Sequence, residues 1–247
     1  MRRTWIALAL ALIAPAAFAK GKTVTFDSLG GKGSGYLVEP AGNGKHPGII
    51  VIQEWWGLND WVKDQAEHFA KDGYVALAPD LYRGKIATTP DVAHELMRGM
   101  PQDRAMADLK GAFNYLASRK DVDASHIGVI GWCMGGGYSL DLTLAEPQIA
   151  ATVINYGHLV TDPATIARIH SPLLGNFGGK DQGITPADVN AFATALKKDN
   201  KKFDIKVYHD AGHGFMNPIN KGSYVKADAE DAQARIDRFL RETLKRT

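Results

Sequence analysis

The stretch HIGVIGWCMGGGYSLDL, residues 126–142, runs from an apolar segment into a cluster of glycines through the chain's one cysteine, Cys133. Ile127–Gly131 reads as a strand covered on both faces and Gly136–Leu144 as a helix. With so few residues between them, the connection must be a sharp turn. Gly131 and Gly135 carry no side chain to collide in such a turn, whereas the residue between them is held in a strained backbone conformation. The thiol then stands at the N-terminus of the following helix, where an anion is favoured and a cysteine ionises more readily. Composition alone favours the opposite reading, since a free cysteine packs as a small hydrophobe. A glycine-rich turn can also hold a phosphate. This one does not fit G-x-G-x-x-G, and Trp132 and Met134 would obstruct a dinucleotide.

The rest of the chain supplies the setting. Lys22–Ser28 and Gly35–Pro40, separated by LGGKGS, read as an N-terminal β-hairpin. Short apolar runs then alternate with amphipathic stretches, the signature of βα units. Strands are expected at Gly48–Gln53, Tyr74–Ala78, Ile127–Gly131, Ala150–Tyr156, Pro172–Phe177 and Phe203–Tyr208. Helices are expected near Asp60–Lys71, Asp91–Met100, Arg104–Arg119, Gly136–Leu144, Pro186–Asp199 and Ser223–Lys245. The fold class is therefore α/β, a mostly parallel central sheet flanked by helices. Tyr82–Gln102 is an excursion placed where it could border a site or serve as an ordinary connection.

A strand-to-helix turn of the form G-x-nucleophile-x-G is the nucleophile elbow, here with cysteine at its centre. Such a nucleophile needs a base and a group to orient that base. Asp181, in GGKDQGIT, follows the strand ending near Phe177, and His213, in HDAGHGFMN, follows the strand ending near Tyr208. All three lie beyond the carboxyl ends of parallel strands, the edge where open α/β sheets bind ligands. Their chain order is nucleophile, acid, histidine, as in the α/β-hydrolase arrangement. Taken singly, Asp181 is also a good turn former and His213 an ordinary loop residue. His209 and His213 are four apart, but Gly212 and Gly214 argue against a helix that would align them on a metal. No metal or cofactor motif is found. His158 follows a predicted strand and reads as structural or as a pocket lining.

Five segments in order, QEWWGLN, APDLY, GWCMGGG, GGKDQGIT and AGHGF, resemble the signature segments of the dienelactone hydrolase family of α/β-hydrolases. The resemblance covers nearly all of the chain after residue 19. It implies hydrolysis of an activated ester or lactone, with Cys133 as nucleophile, His213 as general base and Asp181 orienting the imidazole. It also implies that Glu54 holds the resting cysteine and assists its ionisation, and that the backbone N–H groups of Trp55 and Met134 form an oxyanion hole. Trp56 would wall the substrate pocket. The family's lactonases grip a substrate carboxylate with two arginines. One position is matched approximately by Arg83, with Lys85 as a competitor, and the other is occupied by the uncharged Asn217.

The chain opens with MRRTWIALALALIAPAAFAK, two arginines, an apolar run from Trp5 to about Ala14 and Ala17-Phe18-Ala19 before Lys20. That is the layout of a secretory signal peptide, and its apolar run falls short of the ~20 residues a membrane-spanning helix requires. Residues 1–19 are thus expected to be a signal and 20–247 one hydrolase-like domain, exported to the periplasm or secreted. Of the 29 Lys and Arg, Arg2 and Arg3 lie in that signal, and the remainder balance the 27 Asp and Glu. No nucleic-acid or membrane surface is implied for the mature chain. The expected partner is a small ester or lactone, bound by a monomer. The alternatives are a broad carboxylesterase or thioesterase, a binding protein that has kept the scaffold, and a redox role for the lone thiol.

Overall fold

The computed structural model describes residues 20–245; the expected export signal at 1–19 lies outside the described residues. Eight strands form one sheet: β1 (Lys22–Ser28), β2 (Gly31–Val38), β3 (His46–Ile52), β4 (Val75–Pro79), β5 (Val122–Trp132), β6 (Ala151–Asn155), β7 (Leu173–Gly178) and β8 (Phe203–Tyr208). Their spatial order is β1-β2-β4-β3-β5-β6-β7-β8. β1 and β2 are antiparallel, β2 pairs antiparallel with β4, and the six strands from β4 to β8 run parallel. Among the described residues six helices lie between strands and a seventh follows the last one: α1 (Asp60–Lys71), α2 (Pro90–Gly99), α3 (Gln102–Ser118), α4 (Met134–Ala145), α5 (Pro163–Ala167), α6 (Pro186–Lys198) and α7 (Lys226–Leu244). This is the α/β architecture expected, with its N-terminal hairpin.

Local chemistry explains several boundaries. Asn59 caps α1 by accepting the Val62 N–H (3.1 Å). Thr185 and Asp188 cap α6 reciprocally ahead of Pro186 at its first turn. The hairpin turn is tighter than LGGKGS suggests: Ser28 already faces Gly31, so most of that segment belongs to β2. Gly33 can sit there because a Cβ would strike the Phe26 ring on β1.

Along β3, Ile49 and Val51 face one side and Ile50 and Ile52 the other, and all four are buried. α1 and α7 cover the first side through Phe69, Ile236 and Leu240. On the second side α3 contributes Leu109 and Phe113, and α4 and α6 contribute Leu140 and Phe192. Each such aliphatic side chain contributes roughly 1.5–3 kcal/mol by leaving water.

The chain passes from β3 to β4 on one side and then returns to place β5 on the other. That reversal is a topological switch point, and the loops after β3 and β5 meet there. Register fixes how they meet. Ile52 pairs with Gly131, so Glu54 and Cys133 emerge side by side, and Trp132 pairs with Asn155, so Tyr156 emerges on Cys133's other flank.

A buried polar ladder locks this register. Asn155 Nδ2 donates to the Gly131 carbonyl (3.1 Å), and Asn176 Nδ2 donates to Asn155 Oδ1 (2.8 Å). Arg235 of α7 in turn donates to Asn176 Oδ1. A buried donor or acceptor that loses its partner costs about 1–3 kcal/mol. Asn155→Ala strands groups on both neighbouring strands, so urea unfolding should show a loss of about 2–4 kcal/mol. A loss under about 0.5 kcal/mol would show that the ladder does not hold the sheet.

Candidate active site

Cys133 is the N-cap of α4 and has φ 54° and ψ −119°, a backbone conformation uncommon for a residue with a side chain. The reason lies on either side of it. A Cβ on Gly131 would come within 2.0 Å of the Gly135 carbonyl oxygen, and one on Gly135 within 2.4 Å of the Ile52 and Gln53 carbonyl oxygens. The first turn of α4 therefore packs directly against backbone. Cys133 N–H donates to the Asn155 carbonyl (3.0 Å), and its own carbonyl accepts from Gly137 N–H (3.2 Å).

His213, in the loop after β8, donates from Nδ1 to Asp181 Oδ2 at 2.7 Å. Asp181 follows β7, and its side chain is fully buried. Its other oxygen accepts the Gly183 and Ile184 N–H groups at 2.8 and 3.0 Å. Burial works against the Asp181 charge, but His213 and these amides prevail and its pKa lies below the ordinary aspartate value. Burial likewise opposes the charge on His213, yet Asp181 and the Cys133 thiol together push its pKa up to about 10. With Nδ1 committed to Asp181, Nε2 is the nitrogen left for the thiol.

Glu54 is 2% exposed. Asn217 Nδ2 donates to its Oε2 (2.6 Å) and Tyr156 OH to its Oε1 (3.3 Å). Burial raises its pKa to about 7, opposed by Asn217, by the His213 charge, and by Tyr156 and Asn220. Tyr156 has φ 41°, and its ring meets those of His213 and Phe215 edge-on with centroids 5.3 and 5.5 Å apart. It thereby orients both the carboxyl and the imidazole. In the sequence Tyr156 stands only as the end of an expected strand. Its place just beyond β6, on the same edge as Cys133, was the signal available.

Two clefts open onto the thiol. The larger, about 820 Å³, is walled by Met97, Met100, Met106, Met134 and Tyr138 and reaches Asp141 and His158. The smaller, about 440 Å³, holds Glu54, Trp55, Trp56, His213, Ile219 and Asn220. Trp56 is fixed there by donating from Nε1 to Asn220 Oδ1 (3.2 Å). Trp55 lies edge-on to His94 of α2, centroids 4.8 Å apart. His158 does line a pocket, its Nε2 3.3 Å from Asp141 Oδ1.

Arg83 is not brought to this site. It has φ 56°, its guanidinium is held by the buried carboxylate of Asp108 (2.5 Å) and by the Lys32 carbonyl, and it lines neither cleft. Lys85 lines a different, smaller cavity with Tyr36 and Lys63. The basic side chains on the two clefts are instead Arg98 in the larger and Lys221 in the smaller, both unremarked in the sequence. His209 is exposed beside Asp210 and does not join His213.

A Glu54 pKa near 7 in the fold exceeds its ordinary 4.5, so this group's stabilising contribution is complete below about pH 4.5 and is lost as pH rises through 7. The expected loss is about 3 kcal/mol. Glu54→Gln should flatten that part of the stability–pH curve and be the more stable protein at pH 8; parallel curves for the two proteins would show that the carboxyl does not titrate there.

Residues 34–244 match the family model described as the dienelactone hydrolase family. A candidate carboxymethylenebutenolidase of Methylorubrum extorquens is 32% identical over 221 residues, 84% of this chain and 76% of that protein. Protein usf of Aquifex pyrophilus is 32% identical over 231 residues, 91% of this chain and 99% of that protein. The crystal structure of a candidate dienelactone hydrolase from Klebsiella pneumoniae superposes with a TM-score of 0.80 at 28% identity, covering 89% of this chain and 97% of that one. With the elbow, the parallel sheet and these matches together, the chain belongs to the dienelactone hydrolase family and is an α/β-hydrolase acting on esters or lactones.

Proposed function

We propose that the chain hydrolyses carboxylic esters or lactones through a Cys133–His213–Asp181 triad and an acyl-enzyme. The observation that supports this reading is the coupling of Asp181 to His213 at 2.7 Å in a cleft that also holds a cysteine on a strained elbow. The His213 ring carries the proton and Cys133 the negative charge in the attacking state. The sulfur bonds to the carbonyl carbon, and the carbonyl electrons move onto oxygen. The Met134 N–H, first of the unpaired donors at the start of α4, and the Trp55 N–H hold that oxyanion. On collapse the C–O bond breaks and the leaving oxygen takes the proton from His213 Nε2. Water then loses a proton to His213 as it attacks the thioester, the C–S bond breaks, and the acid departs.

In this reading Glu54, which lines the same cleft as Cys133, takes the thiol proton as substrate arrives, because a buried carboxyl near its pKa accepts or gives up a proton at little cost. Its partner Asn217 brings no positive charge, and Arg83 is committed to Asp108. A carboxylate-bearing lactone would therefore find no two-arginine clamp here. This favours an exported enzyme of broad carboxylesterase or thioesterase scope over a dedicated dienelactone hydrolase.

The test is hydrolysis of para-nitrophenyl acetate beside that of a carboxylate-bearing enol lactone. Cys133→Ala should abolish turnover of both while keeping the circular dichroism spectrum. Asp181→Asn, which leaves the imidazole poorly oriented, should lower kcat by about 10²–10⁴. An active Cys133→Ala protein would move the chemistry to another residue, and a wild type inert toward every activated ester would leave a binding protein on this scaffold.

A further inference from the structure

Cys133 and Met97 are the two residues common to both clefts, so the thiol and one methionine of α2 form the boundary between them. A carbonyl carbon seated on the sulfur has a cleft open to each of its two substituents. We propose that Met97 divides the site into an acyl cleft and an alcohol cleft, the larger methionine-lined one taking the acyl arm and the smaller tryptophan-walled one the alcohol. The favoured substrates are thus open-chain esters with a medium-length acyl chain and a small or flat alcohol. This inference rests on the triad reading given above.

The assignment follows from where His213 stands. It borders the smaller cleft only. The leaving oxygen must take its proton from His213 Nε2, so the alcohol lies on that side. After the alcohol leaves, the acyl chain remains bonded to sulfur, and water must reach His213 to be deprotonated. That water enters the cleft just vacated. The acyl chain must therefore occupy the other.

The walls agree with this division. Met134, Tyr138 and Asp141 fall at i, i+4 and i+7 of α4, one face of the helix, running roughly 10 Å away from the thiol. Near the sulfur that face is thioether and aromatic. At its far end it is polar, with Asp141 paired to His158. Methionines adapt their shape to chains of different length. The alcohol side is less yielding, since Trp56 is pinned to Asn220 and Trp55 lies against His94. A small lactone has its two arms tied together and must span Met97, whereas an open ester passes on both sides of it.

Two substrate series separate the clefts: para-nitrophenyl esters from acetyl to octanoyl, and hexanoate esters of ethanol, butanol and octanol. In the wild type kcat/KM should rise along the acyl series and fall along the alcohol series. Met106→Trp, which fills the larger cleft, should lower the octanoyl-to-acetyl ratio by about tenfold or more and leave the slope of the alcohol series as it was. Ile219→Trp, on the smaller cleft, should steepen the alcohol series and leave the acyl ratio as it was. Met97→Ala should flatten both series and raise the rate on bulky lactones.

The circular dichroism spectrum and thermal melt of each variant report that it is folded, and Met106→Phe serves where Met106→Trp does not fold. The opposite cross-pattern, with Met106→Trp acting on the alcohol series, would reverse the assignment; equal effects on both series would refute the partition. Either result leaves the triad standing. A wild type that fails on the acetyl ester, or a Cys133→Ala protein that succeeds, refutes the triad itself.

Discussion

The structure is organised around a backbone strain at one residue. A cysteine at φ 54° costs roughly 1–3 kcal/mol and persists only where the surroundings leave no alternative. Here they leave none. The first turn of α4 lies against the β3 and β6 carbonyls so closely that Gly135 and Gly136 admit no side chain. Asn155 grips the elbow twice, its carbonyl taking the Cys133 N–H and its side chain holding the Gly131 carbonyl. The gain is positional. The thiol cannot sink into the core, and the helix N-terminus is aimed at the space beside it.

Charge is the second constraint, and it follows from the first. Thiol, imidazole and Glu54 converge on one partly enclosed volume, where charges of the same sign interact strongly. The imidazolium is supported by Asp181, whose charge is in turn supported by two backbone amides. Glu54 is bonded by neutral donors, Asn217, Tyr156 and Asn220, and its burial outweighs them and the His213 charge, so it is the group most easily neutralised. An arginine at position 217 would place a permanent positive charge against it and hold the carboxylate ionised. With asparagine there, the number of protons in the site near neutral pH is set by whatever occupies the cleft. Removing water from around Glu54 favours its neutral form.

How much of this could be read from the chain depended on whether the signal was local. The elbow declares itself through glycines two residues either side of Cys133, and Asp181 and His213 through their place just past strands with clear apolar runs. Most strand and helix limits were legible for the same reason, but β5 starts at Val122 rather than Ile127, because the polar stretch Asp123–His126 carries no apolar run. Arg83 was misleading because its neighbours in sequence resemble a substrate-binding segment, while its partner Asp108 is 25 residues away on α3 and has no sequence mark. Asn220 and Met97 were invisible for a related reason. Each acts through contacts made only once the sheet and its crossovers are assembled. α5 was missed because five residues capped by Asp162 carry too little periodicity to stand out.

Chemistry and recognition are thus carried by parts of unequal rigidity. Cys133, Asp181 and His213 lie in the connections that follow β5, β7 and β8 of the one sheet, so their spacing is set by its register. Met97 and His94, which bear on the clefts and on Trp55, belong to α2, a helix whose one buried residue is Ala93. A segment with so little apolar area in the core can shift by the width of a side chain without disturbing the sheet. Ile219 and Asn220 sit on a similar exposed turn between His213 and α7. Substitutions in these two segments can reshape the clefts and leave the placement of Cys133, His213 and Asp181 intact. Substitutions in the strands cannot do so, because a change of register there moves all three groups at once.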